Sequence, residues 1–243
     1  MPAERPFVLL SAAMSADGCL DDDSAERLLL SGAADLDEVD EIRAECDAIM
    51  VGAGTVRADD PVLQVRSAAR RRRRVARGLP ENPARVIVTA SGNLPPDARV
   101  FTTGAGERLV YVPEAEQARV GRLLGSAATV VGIGTAGIAR PAAGRLDLRL
   151  VLADLSARRA GRLLVEGGGQ VLRQFLAAGL ADEFRLAIAP FFVGRPAAPR
   201  LAAAGDLGLG PGRPMELAGV SRAGDMAVLR YRLRPGGRGE PSP

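Results

Sequence analysis

Two stretches of this 243-residue chain hold residue types whose spacing could do chemistry. The first is DAIMVGAGTVRADDP, Asp47 to Pro61, where the apolar run Ala48 to Val51 leads directly into Gly52-Ala53-Gly54-Thr55. A continuous apolar run reads as a strand buried on both faces. Glycines at its end let backbone N–H groups approach a phosphate with no Cβ in the way; Thr55 adds a hydroxyl, and Asp59-Asp60-Pro61 turns the chain beside two carboxylates. The segment lacks the third glycine of a dinucleotide fingerprint, so by itself it also reads as a tight turn. In the second stretch, Leu163-Leu164-Val165 runs into Glu166-Gly167-Gly168-Gly169-Gln170, and Val171, Leu172, Phe175 and Leu176 follow at helical spacing. That pattern is a strand, a glycine loop and a helix N-terminus, with a carboxylate at the strand tip. Two such edges in one parallel sheet open at the carboxyl ends of the strands, where α/β proteins bind ligands.

The surrounding pattern supplies that sheet. Phe7 to Leu10, Arg85 to Thr89, Leu109 to Val112 and Thr129 to Gly134 read as further strands. Helices are expected from Asp35 (the stripe Leu36, Val39, Ile42, Cys46), over Ala115 to Leu124 and near Leu146 to Leu155. Alternating strands and helices imply βαβ units and a mostly parallel sheet. The last part changes character: Glu183 to Ala189 alternates, and Met215 to Val220 and Met226 to Leu233 are joined by the hairpin signal Ser221 to Asp225. Val62 to Arg66 reads as extended, and Gly194 to Pro214 as a long loop that could meet a partner subunit. Residues 1–234 are read as a single α/β domain and 235–243 as a disordered tail.

Composition narrows the chemistry. The chain has no histidine, and all 32 of its basic residues are arginine. Arginine stays protonated, so Schiff-base and Ser-His mechanisms are excluded and proton transfer falls to Asp, Glu, Cys, Tyr or water. Cys19 and Cys46 show no metal-ligand spacing and no disulfide framework, and Cys46 reads as a small core residue. A net charge of +3 suits anionic small molecules better than a membrane. With no apolar run of spanning length and no signal-peptide pattern at the N-terminus, the expectation is a cytoplasmic protein without membrane contact. The run Arg70 to Arg74 has no interleaved aromatics for stacking bases. It reads as a charged surface loop, with the adenosine 2′-phosphate of NADPH or an anionic partner as the other meanings; nucleic acid is not the expectation.

Met14-Ser15-Ala16-Asp17-Gly18, the VGAGTVRADDP run with Leu63 and Arg66 after it, and LVEGGGQVLRQFL followed by Leu180-Ala181-Asp182-Glu183 and Ile188-Ala189-Pro190 together resemble the riboflavin-pathway pyrimidine reductases, over about residues 5 to 234. The resemblance implies a dihydrofolate-reductase-like, three-layer α/β/α fold whose central sheet is mostly parallel, with antiparallel C-terminal strands. It implies NADPH as cofactor, a phosphorylated small-molecule substrate and a homodimer. By position it assigns Ala13, Thr55, Asp59, Ser91 and the loop Gly168-Gly169-Gln170 to the cofactor. Arg43, Leu63, Arg66 and Glu166 fall to the substrate, the arginines offering planar forks to its phosphate.

The implied reaction delivers a hydride to C1′ of a ribosylamino-pyrimidine 5′-phosphate and opens the ribose to a ribitylamino product. The ring oxygen must then gain a proton, for which Glu166 and Asp17, or a water held by them, are the nearest acids; Glu166 could equally orient the substrate. Several positions depart from the family pattern. Cys19 stands where a lysine or arginine is common, Ser11 where fused members often have lysine, and Arg27 to Leu29 where they have Ser-x-Trp, which makes Arg27 a candidate replacement contact. No HxE or PCxxC deaminase signature occurs in the sequence, a pattern that resembles the archaeal and fungal branch acting on the diamino-pyrimidinone. The changed pocket leaves reduction of another heterocycle or imine as the alternative; dihydrofolate reduction and a non-catalytic nucleotide- or nucleic-acid-binding protein rank behind it.

Overall fold

The computed structural model describes residues 5–22, 24, 28–134, 146–202 and 207–233. Its apolar runs become β1 (Phe7–Ser15), β2 (Ala48–Gly52), β3 (Ala84–Val88), β4 (Arg108–Pro113), β5 (Thr129–Ile133), β6 (Arg162–Gly167), β7 (Glu183–Ala189), β8 (Glu216–Ala223) and β9 (Met226–Arg232). They form one nine-stranded sheet in the order β5-β4-β3-β2-β6-β1-β7-β9-β8. The strands from β5 to β7 pair in parallel, and β9 and β8 add to that edge antiparallel. The helices are α1 (Ala33–Ala44), α2 (Ala53–Asp59), α3 (Ala68–Ala76), α4 (Arg99–Thr102), α5 (Glu114–Leu124), α6 (Leu148–Ala157) and α7 (Gly169–Ala177).

Side chains alternate across a strand, so the buried sheet has two apolar faces to cover. Val8, Leu10, Met50, Val86, Leu163 and Val165 pack against Val151, Leu152 and Leu155 of α6 and Leu172 and Phe175 of α7. On the opposite face Ile49, Val51, Ile87 and Val110 meet Val56 of α2, Phe101 of α4 and Val120 of α5. Leu9 and Leu164 meet Ile42 of α1 on that same face. The result is three layers, α/β/α.

Two irregularities open the sheet where its strand order reverses. β1 pairs with β6 only as far as Leu10 and Val165, yet stays paired with β7 through Ser15 and Ala189. β6 also bulges: Met50 faces Val165 and Val51 faces Gly167, which leaves Glu166 as the extra residue. A bulge bends its strand and re-aims the side chain it carries. Gly167 adopts φ 152°, a conformation that a side chain disfavours. The carboxyl ends of β1 and β6 therefore part, and such a parting is where an open α/β sheet binds ligands.

Several sequence readings change. β1 runs past Leu10 to Ser15 because β7 holds its second half. The glycine loop after β2 is instead the first turn of α2. The first hairpin strand extends past Val220 to Ala223, leaving Gly224 (φ 63°) and Asp225 as the turn before Met226. Val62 to Arg66 is not a strand, and Leu63 sits at φ 53°. Arg27 and the tail 235–243 lie outside the described residues.

The arginine run is the largest change, for it forms helix α3 rather than a surface loop. Arg70 donates to Asp37 (2.6 Å), Asp40 (3.0 Å) and Glu41 (2.7 Å) of α1, and Arg77 pairs with Glu45 at 2.9 Å. Arg74 is 1% exposed; its Nη1 donates to the Ala44 and Cys46 carbonyls and its Nε to that of Pro80. The last carbonyls of a helix lack partners of their own, and Arg74 supplies the end of α1 with one. The run therefore clamps α3 onto α1.

Candidate active site

The opened strand tips hold a cleft with two lobes. The first, about 510 Å³, is bounded by Gly54 and Thr55 of α2, Ala90 and Ser91 after β3, and Gly169 and Gln170 at the amino end of α7. The second, about 440 Å³, lies between Ser11 and Ala13 of β1, Arg185 of β7, Val39 and Arg43 of α1, and Glu166. Thr55, Asp59, Gly168 and Gly169 line both. Of the residues singled out from sequence, Thr55, Asp59, Ser91, Gly168, Gly169 and Gln170 come together in the first lobe. Ala13, Arg43, Arg66 and Glu166 come together in the second. Asp17 and Leu63 line neither.

Close packing shapes the first lobe. Gly168 N–H donates to Thr55 Oγ1 at 2.8 Å and ties α2 to the β6–α7 turn. A Cβ on Gly52 would come within 2.9 Å of Val171, and one on Gly169 within 3.0 Å of Leu20, so glycine lets α7 and the β1 loop approach. A Cβ on Gly54 would meet nothing within 4 Å, so the lobe stays open there. The amino end of α7 contributes the positive end of its dipole, which suits a pyrophosphate. These residues fit a nicotinamide dinucleotide.

Charge shapes the second lobe. Arg43 donates from Nε and Nη2 to the two carboxylate oxygens of Glu166, each at 2.6 Å, and from Nη1 to the Gln64 carbonyl at 3.0 Å. Burial would lower the Arg43 pKa, but the Glu166 carboxylate more than offsets this and raises it. The arginine expected to clamp a phosphate is thus engaged with the carboxylate expected to donate a proton. Arg66 is exposed at the lobe, and its side chain forms no ion pair with a described residue. Its backbone is fixed by Asp40, which accepts the N–H groups of Arg66 and Ser67. Burial works to raise the Asp40 pKa, and these N–H groups together with Arg70 carry it below the ordinary value.

Two expectations are corrected by position. Asp17 accepts from Ser15 Oγ (2.5 Å), Val193 N–H (3.1 Å) and Gly194 N–H (2.9 Å), which hold its pKa far below the usual carboxylate range. A carboxylate so held is no proton donor near neutral pH; it fastens the 190–194 loop to the first motif. Leu63 is 2% exposed in the core beside Ile49 and Val51, and its positive φ precedes the Gln64 carbonyl that Arg43 uses. Cys19 is buried, and its N–H donates to Ser15 Oγ.

Sequence reading missed Asp35 and Arg185, which line the second lobe and pair at 2.6 Å. Burial would lower the Arg185 pKa, and Glu38 and Asp35 raise it. The available signal was the alternation Glu183-Arg185-Ala187, which puts a cation on the face of β7 that carries apolar residues elsewhere.

A mostly parallel sheet with a glycine-lined dinucleotide lobe beside a lobe of paired arginines and carboxylates defines a small-molecule reductase that uses a nicotinamide cofactor. The family described as RibD C-terminal domain matches residues 6–228, and the chain belongs to it. The 2,5-diamino-6-ribosylamino-4(3H)-pyrimidinone 5′-phosphate reductase of Archaeoglobus fulgidus is 37% identical over 78% of this chain and 83% of its own length. The protein of that name from Methanothermobacter thermautotrophicus is 40% identical over 78% of this chain and 80% of its own. Acinetobacter baumannii RibD superposes with a TM-score of 0.73 at 26% identity, over 94% of this chain and 58% of that longer one. The fold is the dihydrofolate-reductase-like one of these reductases.

Proposed function

We propose that the protein reduces 2,5-diamino-6-ribosylamino-4(3H)-pyrimidinone 5′-phosphate to its ribitylamino product with NADPH. One observation carries this reading: the dinucleotide lobe and the charged lobe share the wall Thr55, Asp59, Gly168 and Gly169, so a cofactor in one borders a substrate in the other. When bound, the reduced nicotinamide supplies the hydride for C1′. Arg66 takes the 5′-phosphate at the mouth, its backbone held by Asp40. Arg43 holds Glu166 so that its remaining lone pairs accept from the ribose hydroxyls. The proton for the ring oxygen comes from water, since both Glu166 oxygens already accept from Arg43 and Asp17 lies outside the cleft.

The choice of NADPH is supported by Arg57, which lines the first lobe and donates to the Asn93 carbonyl at 2.7 Å, a cation to which a 2′-phosphate would be drawn. A homodimer and a cytoplasmic location belong to the same reading. The edge strand β8 exposes Leu217 and Val220, a face a second copy would cover, and sedimentation measures that mass. Both cysteines are unbridged, as in a reducing compartment.

Thermal denaturation with NADPH and NADH tests the reading. At a hundredfold excess over Kd, NADPH should stabilise by about 2.7 kcal/mol. Adding the diamino-pyrimidinone phosphate should then consume the reduced cofactor. A melting temperature indifferent to NADPH would contradict the assignment.

A further inference from the structure

Asp35 and Arg185 form the most buried ion pair among the described residues, each side chain 1% exposed, and both line the second lobe. Arg185 Nη2 donates to Asp35 Oδ1 at 2.6 Å, while Asp35 Oδ2 accepts no hydrogen bond from a described residue. The other carboxylates of the lobe differ. Glu166 has both oxygens on Arg43, and Asp21 and Asp59 are half-buried where the two lobes meet. A buried ion pair adds little to stability compared with apolar residues of the same size, so packing α1 on β7 does not by itself explain this one. Its place in a ligand lobe does.

We propose that Asp35 selects a 2-amino-pyrimidinone over the corresponding 2-oxo (uracil) compound, an assignment that rests on the function proposed above. The diamino-pyrimidinone presents two adjacent donors, N3–H and the 2-amino group. Oδ2 accepts from the 2-amino group, and Oδ1, which keeps a lone pair beyond the one given to Arg185, accepts from N3–H. The uracil form keeps N3–H but sets a carbonyl oxygen against Oδ2, leaving two acceptors face to face with no proton between them. A site built to accept from a substrate N–H rejects the analogue lacking it strongly. Arg185 is a positioning residue: with Glu38 behind it, it fixes the direction of the Asp35 carboxylate.

The test compares kcat/KM for the two ribosylamino-pyrimidine phosphates in the wild type and in Asp35→Asn. The wild type should favour the diamino compound by on the order of a hundredfold. Asp35→Asn keeps the shape and offers an amide N–H to a 2-oxo group, so the ratio should fall towards unity or invert. A merely structural Asp35 would lower both values equally and leave the ratio unchanged, which overturns the assignment. Should the variant fail to fold, competition in the wild type decides: 2-amino-4-hydroxypyrimidine should inhibit at least about tenfold more strongly than uracil, and equal inhibition overturns the assignment. A wild type that reduces both phosphates alike also overturns it while leaving the reductase reading intact. A wild type that reduces neither removes both.

Discussion

Replacing Glu166 by Gln is the most informative single perturbation of the cleft. The change is nearly isosteric, but it removes the charge that both Arg43 bonds at 2.6 Å depend on and turns one acceptor into an NH2 group facing an Arg43 donor. Both side chains are 12% exposed, so water does little to rescue the stranded guanidinium. Breaking one side of such a pair costs about 3 kcal/mol. At roughly 2–4 °C per kcal/mol for a chain of this size, the melting temperature should drop by about 6–12 °C. Thermal denaturation of Glu166→Gln, Arg43→Met and the double variant measures the coupling directly. Because each single change already destroys the pair, the double variant should lose about 2–3 kcal/mol less than the sum of the singles. Additivity to within about 0.5 kcal/mol would show that the pair is not formed in solution and refute the reasoning.

Other outcomes follow from the same contacts. Arg74→Met strands the Ala44, Cys46 and Pro80 carbonyls and should cost about 3 kcal/mol in denaturant unfolding, whereas Arg72→Ala should stay within roughly 0.5 kcal/mol; similar losses would refute the buried role of Arg74. Hydrogen bonds from Arg70 hold Asp37 and Glu41 below their ordinary pKa. Their contribution is therefore complete above about pH 4.3 and is lost as pH falls below it, so melting temperature against pH should show an acid limb that Arg70→Met flattens. Burial pushes the Cys46 thiol up to about 12, and Cys19 is also buried, so an aromatic disulfide reagent at pH 8 should leave the native protein unlabelled and modify both cysteines in denaturant. Rapid native labelling would show that the core around Cys46 opens.

The two strand tips were legible because Ala48 to Val51 and Leu163 to Val165 are apolar at every position and lead into glycines, the first directly at Gly52 and the second one residue later after Glu166, a pattern that local chemistry dictates. The arginine run was misread because its partners lie on a different helix. Asp37 and Glu41 of α1 and Glu45 at its C-cap are spaced four apart and could have been matched with Arg70, Arg73 and Arg77 as facing stripes, but local reading sees only the charge. Asp17 was expected in the pocket on the strength of its motif, and the loop that claims its carboxylate, at Val193 and Gly194, lies far along the chain. The positive φ of Leu63 leaves no local trace, since core packing imposes it on a residue type that does not favour it. Asp35 looked like an ordinary acid in the first turn of a helix, and only the sheet register set Arg185 opposite it.

Hydride transfer across the shared wall of the two lobes is the central claim, and isotope transfer tests it most directly. NADPH carrying deuterium at the transferring C4 position, incubated with the protein and the diamino-pyrimidinone phosphate, should give a ribitylamino product with one deuterium at C1′ by mass spectrometry and NMR. Product without deuterium, or no product from a protein that binds NADPH, would contradict the account.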